Sequence, residues 1–108
     1  MSTARSLYSM KVEKIIDYTH NIRELILRTE MPAEFSFKAG QFVMLHVPVS
    51  GSKPALRAYS IASSEKIKDS IRLIFKFVES GVASTYVWSL KGGEVLNFTG
   101  PFGKVFFQ

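Results

Sequence analysis

The sequence predicts an all-β domain, an antiparallel barrel or sandwich that carries one short helix. About six short segments rich in β-forming residues follow one another, and turn residues separate them. Only one stretch has apolar residues at helical spacing. Strands and helices therefore do not alternate as they do in βαβ folds.

The strand predictions rest on apolar residues that alternate with polar ones, or on runs of β-branched and aromatic residues. Asn21 separates the first two strands and suits a hairpin turn. The turn residues of 100–103 end the pattern, and the apolar segment 105–108 either packs on the barrel or continues into another domain. The predicted strands are residues 7–16, 22–28, 41–47, 57–63, 70–78 and 94–99.

The helix prediction rests on Val82, Tyr86 and Leu90, which recur at every fourth position and form one apolar face. We expect Ser80 or Ser84 to cap its start, and the glycine pair 92–93 to end it.

The composition excludes several classes of protein. Hydrophobic residues make up 46% and charged residues 21%, as in ordinary globular domains. With no cysteine there are no disulfides, thiolate metal sites or thiol catalysis, and the two histidines have no second ligand at metal-binding spacing. We expect no metal site. The sequence shows neither a membrane-spanning run nor the apolar core of a signal peptide, so a cytoplasmic location is expected.

The net charge is +5, since 14 basic residues outnumber 9 acidic ones. A positive field favours anionic partners such as phosphates or nucleic acid.

The first candidate site is the segment Arg57, Ala58, Tyr59 and Ser60. On a strand, Arg57 and Tyr59 point to one face of the sheet, and Ala58 and Ser60 point to the other. Arginine suits a phosphate, a tyrosine ring can stack on a planar ligand, and a serine hydroxyl can bond to its edge. The same segment also fits an ordinary strand with an exposed arginine and a half-buried tyrosine.

The second candidate site is the predicted helix start, residues 81–85. Gly81 allows close approach of a ligand to the backbone, and Ser84 and Thr85 add hydroxyl groups. A helix N-terminus favours an anion. A simple capped helix with small packing residues would look the same. No acid–base pair or catalytic triad stands out, so any chemistry would belong to a bound cofactor.

The order of five motifs resembles the flavin-binding domain of the ferredoxin–NADP reductase family, and flavin reductases and reductase components of bacterial oxygenases are similar. The likeness extends over residues 7–107. The motifs are Phe37-x-Ala39-Gly40-Gln41-Phe42, Arg57-x-Tyr59-Ser60, Lys76-x-Val78, Gly81-x-x-Ser84 and Gly100-Pro101-Phe102-Gly103.

This resemblance implies a six-stranded antiparallel Greek-key barrel with one short helix over residues 1–108, and FAD as the cofactor, with FMN as the alternative. It implies that Arg57 neutralises a flavin phosphate and that Tyr59 lies against the isoalloxazine ring or the ribityl chain. Ser60 would have the catalytic role, near the redox-active N5 edge. The implied cofactor-binding residues are Arg57, Ala58, Tyr59, Ser60, Ile74, Phe75, Lys76, Gly81, Val82, Ala83, Ser84 and Thr85.

One departure from the family shapes the expected function. In the family, a nucleotide-binding α/β domain follows the Gly-Pro-Phe-Gly motif. These 108 residues contain no dinucleotide-binding fingerprint. We therefore expect the flavin half of an NAD(P)H-dependent oxidoreductase, with the C-terminal NAD(P)-binding domain absent and with little activity alone. The implied partners are that domain or subunit and an electron acceptor such as an iron–sulfur or haem protein, with no nucleic acid and no membrane span. The alternative is a non-enzymatic β-barrel module that binds nucleic acid.

Overall fold

The computed structural model describes residues 6–31 and 34–103. These residues form six strands and one helix in the predicted order. The elements are β1 (Ser6–Thr19), β2 (Ile22–Met31), β3 (Phe42–Val47), β4 (Ala55–Ser60), β5 (Ser70–Lys76), α1 (Val82–Trp88) and β6 (Val95–Phe102).

The strands pair in the order β4-β3-β6-β1-β2-β5, and every pair is antiparallel. The two outer strands approach each other just beyond β4, where Ile61 bridges to Leu73. The Ala62 amide also donates a hydrogen bond to the Arg72 carbonyl at 2.9 Å. The consecutive strands β3, β4 and β5 are therefore neighbours, and β6 returns to lie beside β3, which is the order of a Greek key. The predicted barrel-like fold with one short helix is confirmed.

The core follows from the alternation of the strands. In β3 and β5 every second side chain is buried, and all of these inward-facing residues are apolar. The outward-facing positions hold both polar and apolar residues, such as Arg72 and Ile74. From α1 the barrel receives Ala83 and Val87. The largest fully buried side chains are Phe35, Phe98, Met10, Leu25, Leu27, Leu45, Ile71, Leu73 and Leu96.

The ends of the helix differ from the prediction. Gly81 is the N-cap and no side chain caps the helix, so the predicted cap from Ser80 or Ser84 is wrong. Ser80 has a positive φ of 62°, and Ser84 lies inside the first turn. The helix ends at Trp88, with Ser89 as its C-cap, and the glycine pair 92–93 lies in the following turn instead.

The strand bounds also differ from the prediction, since β4 spans Ala55–Ser60 and not 57–63. At residues 100–102, β6 continues where a turn is predicted. Phe42 on β3 pairs with Phe102, so the glycine and proline before it do not stop the strand. The predicted apolar segment 105–108 lies outside the described residues.

Candidate functional site

A cleft of about 530 Å³ lies between β4, β5 and the start of α1. Most of its lining residues are those that the sequence predicts for a binding site, and Val78 and Ser80 are additions. We call it the first cleft. Its lining residues are Arg57, Tyr59, Ile74, Lys76, Val78, Ser80, Gly81, Val82, Ala83 and Ser84.

The β4 wall of the first cleft combines a cation with an aromatic ring. Tyr59 is half-buried, and its ring centroid lies 4.4 Å from that of Phe75. Burial raises the pKa of Tyr59, although the nearby Arg57 acts in the opposite direction. Tyr59 is therefore a neutral phenol at physiological pH. Arg57 is exposed, and one of its five N–H donors bonds to the Leu56 carbonyl at 2.9 Å.

The β5 wall presents the outward-facing residues of an alternating strand. Ile74 and Lys76 are exposed, whereas Phe75 between them is buried in the core. Lys76 thus places a second cation in the cleft beside Arg57. The side chain of Phe75 packs inward, so this residue can meet a ligand in the cleft only through its main chain.

The third wall is the β5–α1 loop, residues 77–81, which the Ser84 hydroxyl holds in place. Ser84 is buried, its Oγ accepts a hydrogen bond from the Val78 amide at 2.7 Å, and it donates to the Lys76 carbonyl at 3.4 Å. The Gly81 amide donates to the Val78 carbonyl at 2.9 Å. The Ser84 hydroxyl is therefore engaged by the protein's own main chain.

Gly81 is needed where this loop meets α1. A Cβ at this position would lie 3.0 Å from the Val78 carbonyl oxygen and 3.3 Å from the Val78 Cβ. The missing side chain lets the loop close against the helix start. It also leaves the backbone beside the first turn open, where helix N–H groups have no intrahelical partner.

Four predicted residues do not line the first cleft. Ala58 and Ser60 are exposed on β4, and Phe75 belongs to the core. Thr85 lies on the exposed side of α1, and its Oγ1 donates to the Gly81 carbonyl at 3.0 Å. Of the four β4 residues, Arg57 and Tyr59 line the cleft, whereas Ala58 and Ser60, which alternate with them along the strand, do not.

Two of the sequence motifs lie outside the first cleft and pack against each other. They are residues 37–42, which lead into β3, and residues 100–103 at the end of β6. Gln41 Nε2 donates to the Gly103 carbonyl at 2.8 Å, and the rings of Phe42 and Phe102 stack at 5.6 Å. Gly100 has a φ of 145°, and a Cβ there would lie 3.3 Å from the Phe42 carbonyl oxygen. These motifs therefore join β3 to β6.

The donor set of the first cleft fits a ligand that has both a phosphate and a planar ring. Two cations face one cavity, a half-buried tyrosine lies beside them, and Ile74, Val78 and Val82 supply apolar surface. The volume lies within the usual range of about 300–1,000 Å³ for ligand pockets. FAD has this chemistry, so the residues present fit it.

Two further properties concern the described residues alone. Within ranges 6–31 and 34–103, no cluster of three or more histidine and acidic residues could hold a metal ion. None of the helical structure in those ranges is long and apolar enough to cross a membrane.

Comparisons with known proteins give one consistent family. Residues 9–107 match the model of the oxidoreductase FAD-binding domain. The chain is 33% identical over 101 residues to the glycine betaine monooxygenase reductase subunit of Pseudomonas aeruginosa (strain UCBPP-PA14), covering 93% of this chain and 27% of that protein. It is 31% identical over 103 residues to the phenol 2-monooxygenase reductase component of Pseudomonas sp. (strain CF600), covering 94% of this chain and 28% of that protein.

Among solved structures, the cytochrome P450 reductase of Amycolatopsis superposes with a TM-score of 0.81 at 29% identity, covering 93% of this chain and 29% of that one. The chain thus spans less than a third of the length of these relatives. Because the family model matches nearly all of the described residues, the chain belongs to the family of oxidoreductase FAD-binding domains.

Proposed function

We propose that the first cleft holds FAD, and that the chain is the flavin-holding part of an NAD(P)H-dependent oxidoreductase. The acceptor would be an iron–sulfur or haem protein, and an NAD(P)-binding domain or subunit would supply the nicotinamide. The names of the relatives support this, since two are reductase components of monooxygenases. A cytoplasmic location stays a prediction.

The proposal rests on one observation: Arg57, Tyr59 and Lys76 line the same cavity as the start of α1. Arg57 and Lys76 would neutralise the phosphates, and the neutral ring of Tyr59 would lie against the planar part of the cofactor. When bound, FAD supplies the hydride and electron chemistry that protein side chains lack. The protein supplies position, charge and shelter from water.

Ser60 is proposed as the residue that hydrogen-bonds the redox-active edge of the cofactor. It is exposed at the end of β4, one residue beyond Tyr59. Its hydroxyl can both donate and accept a hydrogen bond. Phe75, which the first cleft does not include, would contribute through its main chain. Ala58 and Thr85 would lie at the margin of the site, since the Thr85 amide already donates to the Gly81 carbonyl at 3.0 Å.

The described residues do not support the nucleic-acid alternative. A platform for bases needs exposed aromatic rings on one surface. Phe35, Phe37 and Phe75 are instead buried in the core, and Phe42 stacks on Phe102. Phe77 is 39% exposed, but its ring packs edge-on against Trp88. Two of the basic residues, Arg57 and Lys76, line the cleft that would hold a phosphate-bearing cofactor.

The test is a titration of FAD with this protein, followed by quenching of flavin fluorescence. We expect Arg57→Ala to lower the FAD affinity by about 2 kcal/mol, the range of hydrogen bonds to charged groups, and to leave the melting temperature unchanged because Arg57 is exposed. The matched control is Lys53→Ala, which removes the same charge from an exposed loop position outside the cleft.

Two results would contradict the proposal at different points. No binding at about 1 mM FAD, where only about 4 kcal/mol is required, would reject the flavin site itself. Equal FAD affinity of Arg57→Ala and the parent protein would keep the flavin site but remove Arg57 as a phosphate ligand.

A further inference from the structure

Glu24 on β2 is a buried carboxylate that lies next to the first cleft but does not line it. Only 3% of the residue is exposed. Its cross-strand partner on β5 is Ile74, which forms part of the cleft wall. Side chains directly opposite each other in an antiparallel pair share one face of the sheet, with Cβ atoms about 4.5–5.5 Å apart. Glu24 therefore lies immediately beside the cleft.

Two side chains hold this carboxylate. The Tyr18 hydroxyl donates a hydrogen bond to Oε1, and the Arg72 guanidinium lies 3.6 Å from Oε2. Tyr18 lies on β1 where the register with β2 shifts between Asp17 and Thr19, and such a bulge re-aims a side chain. The hydrogen bond to Glu24 raises the pKa of Tyr18 above its usual 10.0, so the phenol is protonated at neutral pH and can donate.

The two charges of the Glu24–Arg72 ion pair differ in their contact with water. The Glu24 side chain is 4% exposed, whereas the Arg72 side chain is 51% exposed. Water and salt screen an exposed charge strongly and a buried charge much less. The field of the carboxylate in the cleft therefore exceeds that of the guanidinium. The charged side chains that line the cleft itself, Arg57 and Lys76, are both positive.

We propose that Glu24 lowers the reduction potential of the bound flavin, through its charge and without contact with the cofactor. This rests on the proposed flavin site. At neutral pH the flavin ring gains two electrons and takes up one proton from water on reduction, which adds one negative charge to it. A carboxylate beside Ile74 opposes that charge. Glu24 therefore favours oxidised over reduced FAD in the cleft.

The test measures the reduction potential of FAD in protein saturated with it, with dithionite as the electron donor and a dye of known potential as the reference. Glu24→Gln keeps the size of the side chain and an acceptor for Tyr18. We expect it to favour reduced FAD by about tenfold in the equilibrium constant, a rise of about 30 mV for a two-electron couple. Arg72→Gln removes the compensating cation and should lower the potential, by less because Arg72 is exposed.

The matched control is Glu13→Gln. This carboxylate also pairs with an arginine, Arg28 at 2.8 Å, but it does not line the first cleft and lies on another part of the sheet. Its removal changes the net charge of the protein by the same amount, and we expect the potential to stay unchanged.

Shifts of opposite sign in the two variants are required, because a loss of packing alone does not reverse its sign when the cation is removed instead of the carboxylate. Shifts in the same direction, no shift in either variant, or an equal shift in Glu13→Gln would overturn the proposal. If thermal unfolding shows that Glu24→Gln does not fold, Arg72→Gln decides, and an unchanged or raised potential in it rejects the role of Glu24.

FAD titration of the parent protein separates this proposal from the flavin site. A parent protein that binds no FAD rejects the site and the role of Glu24 together. Bound FAD whose potential ignores both substitutions rejects only the role of Glu24.

Discussion

Ser84 is the residue that connects the end of β5 to the start of α1. Its buried hydroxyl accepts from the Val78 amide and donates to the Lys76 carbonyl, two groups that flank the loop wall of the first cleft. A polar group that is buried costs free energy unless it is paired. The side chain therefore shapes the cleft by holding the loop.

We expect Ser84→Ala to destabilise the fold by about 1–3 kcal/mol, because the Val78 amide loses its partner in a partly buried place. The displaced loop should weaken the binding of riboflavin and FAD by equal factors. Thermal unfolding and flavin titrations measure the two effects. Ser52→Ala, at an exposed loop position, is the control.

The contrast between the two ligands decides what Ser84 does, since riboflavin has no phosphate. A variant that loses affinity for FAD but keeps its affinity for riboflavin would show that the hydroxyl contacts a phosphate directly.

At the level of the elements, α1 is too short to be stable by itself, so its neighbours must hold it. Arg23 on β2 holds the C-terminal end of α1. Its guanidinium bonds to Asp17 at 2.7 and 3.1 Å, donates to the Val87 carbonyl at 3.0 Å, and lies 5.1 Å from the ring of Trp88. A cation favours the last carbonyls of a helix. The β1–β2 hairpin thereby fixes the helix whose start bounds the first cleft.

The turn between α1 and β6 depends on pH through Glu94. The carboxylate accepts hydrogen bonds from the Lys91 and Gly92 amides, both at 2.8 Å, and these bonds lower the pKa of Glu94 below its usual 4.5. A lowered pKa means that the folded state prefers the charged form. The stabilisation is therefore complete above the usual value and is lost as the pH falls through the lowered one.

We expect Glu94→Ala to reduce the free energy of unfolding by about 1 kcal/mol at neutral pH, the typical contribution of a hydrogen bond. The difference between the variant and the parent protein should shrink as the pH falls below 4.5, the usual pKa of this group. Denaturant unfolding at several pH values measures it. A difference that stays constant down to strongly acidic pH would show that the charge of Glu94 contributes nothing to the turn.

The elements show where sequence patterns suffice and where they fail. Alternation in β5 predicts that Ile71 and Leu73 face inward and that Ile74 faces outward, because one face of the strand is buried. The same rule places Arg57 and Tyr59 together. The structural use of Ser84 could not be predicted, because it depends on the path of the loop before α1. Likewise, local turn signals at residues 100–102 are overridden by pairing with β1 and β3.

For the whole molecule, the opening of the barrel determines where the first cleft lies. The strands β4 and β5 approach at the Ile61–Leu73 bridge. The cleft residues Tyr59 and Arg57 precede this bridge on one strand, and Lys76 follows it on the other. They therefore lie on the same side of the bridge, where the two strands separate. The topology thus brings residues from distant parts of the sequence into one cavity.

The fold also predicts what these 108 residues will not do efficiently. Hydride transfer requires the nicotinamide and flavin rings within about 3–3.5 Å, and fixing that geometry supplies about 7–11 kcal/mol. The described residues contain no βαβ unit for a nucleotide site, since every strand pair in them is antiparallel. With FAD and ferricyanide present, we expect NADH and NADPH absorbance to fall only slowly, little faster than in a control without protein.

Rapid turnover would contradict this expectation. A rate near the enzyme median of about 10 s⁻¹, saturating below about 1 mM nucleotide, would show that the barrel itself has a nicotinamide site.

The most direct test of the central claim, that the first cleft holds the flavin, is to map the contact residues in solution. Backbone amide NMR spectra of the ¹⁵N-labelled protein would be recorded during a titration with FAD. We predict that the largest shift changes fall on residues 57–60 and 74–85. Largest changes at the separate cavity lined by Lys11, Glu13 and Arg28, with little change around Arg57 and Gly81, would contradict the account.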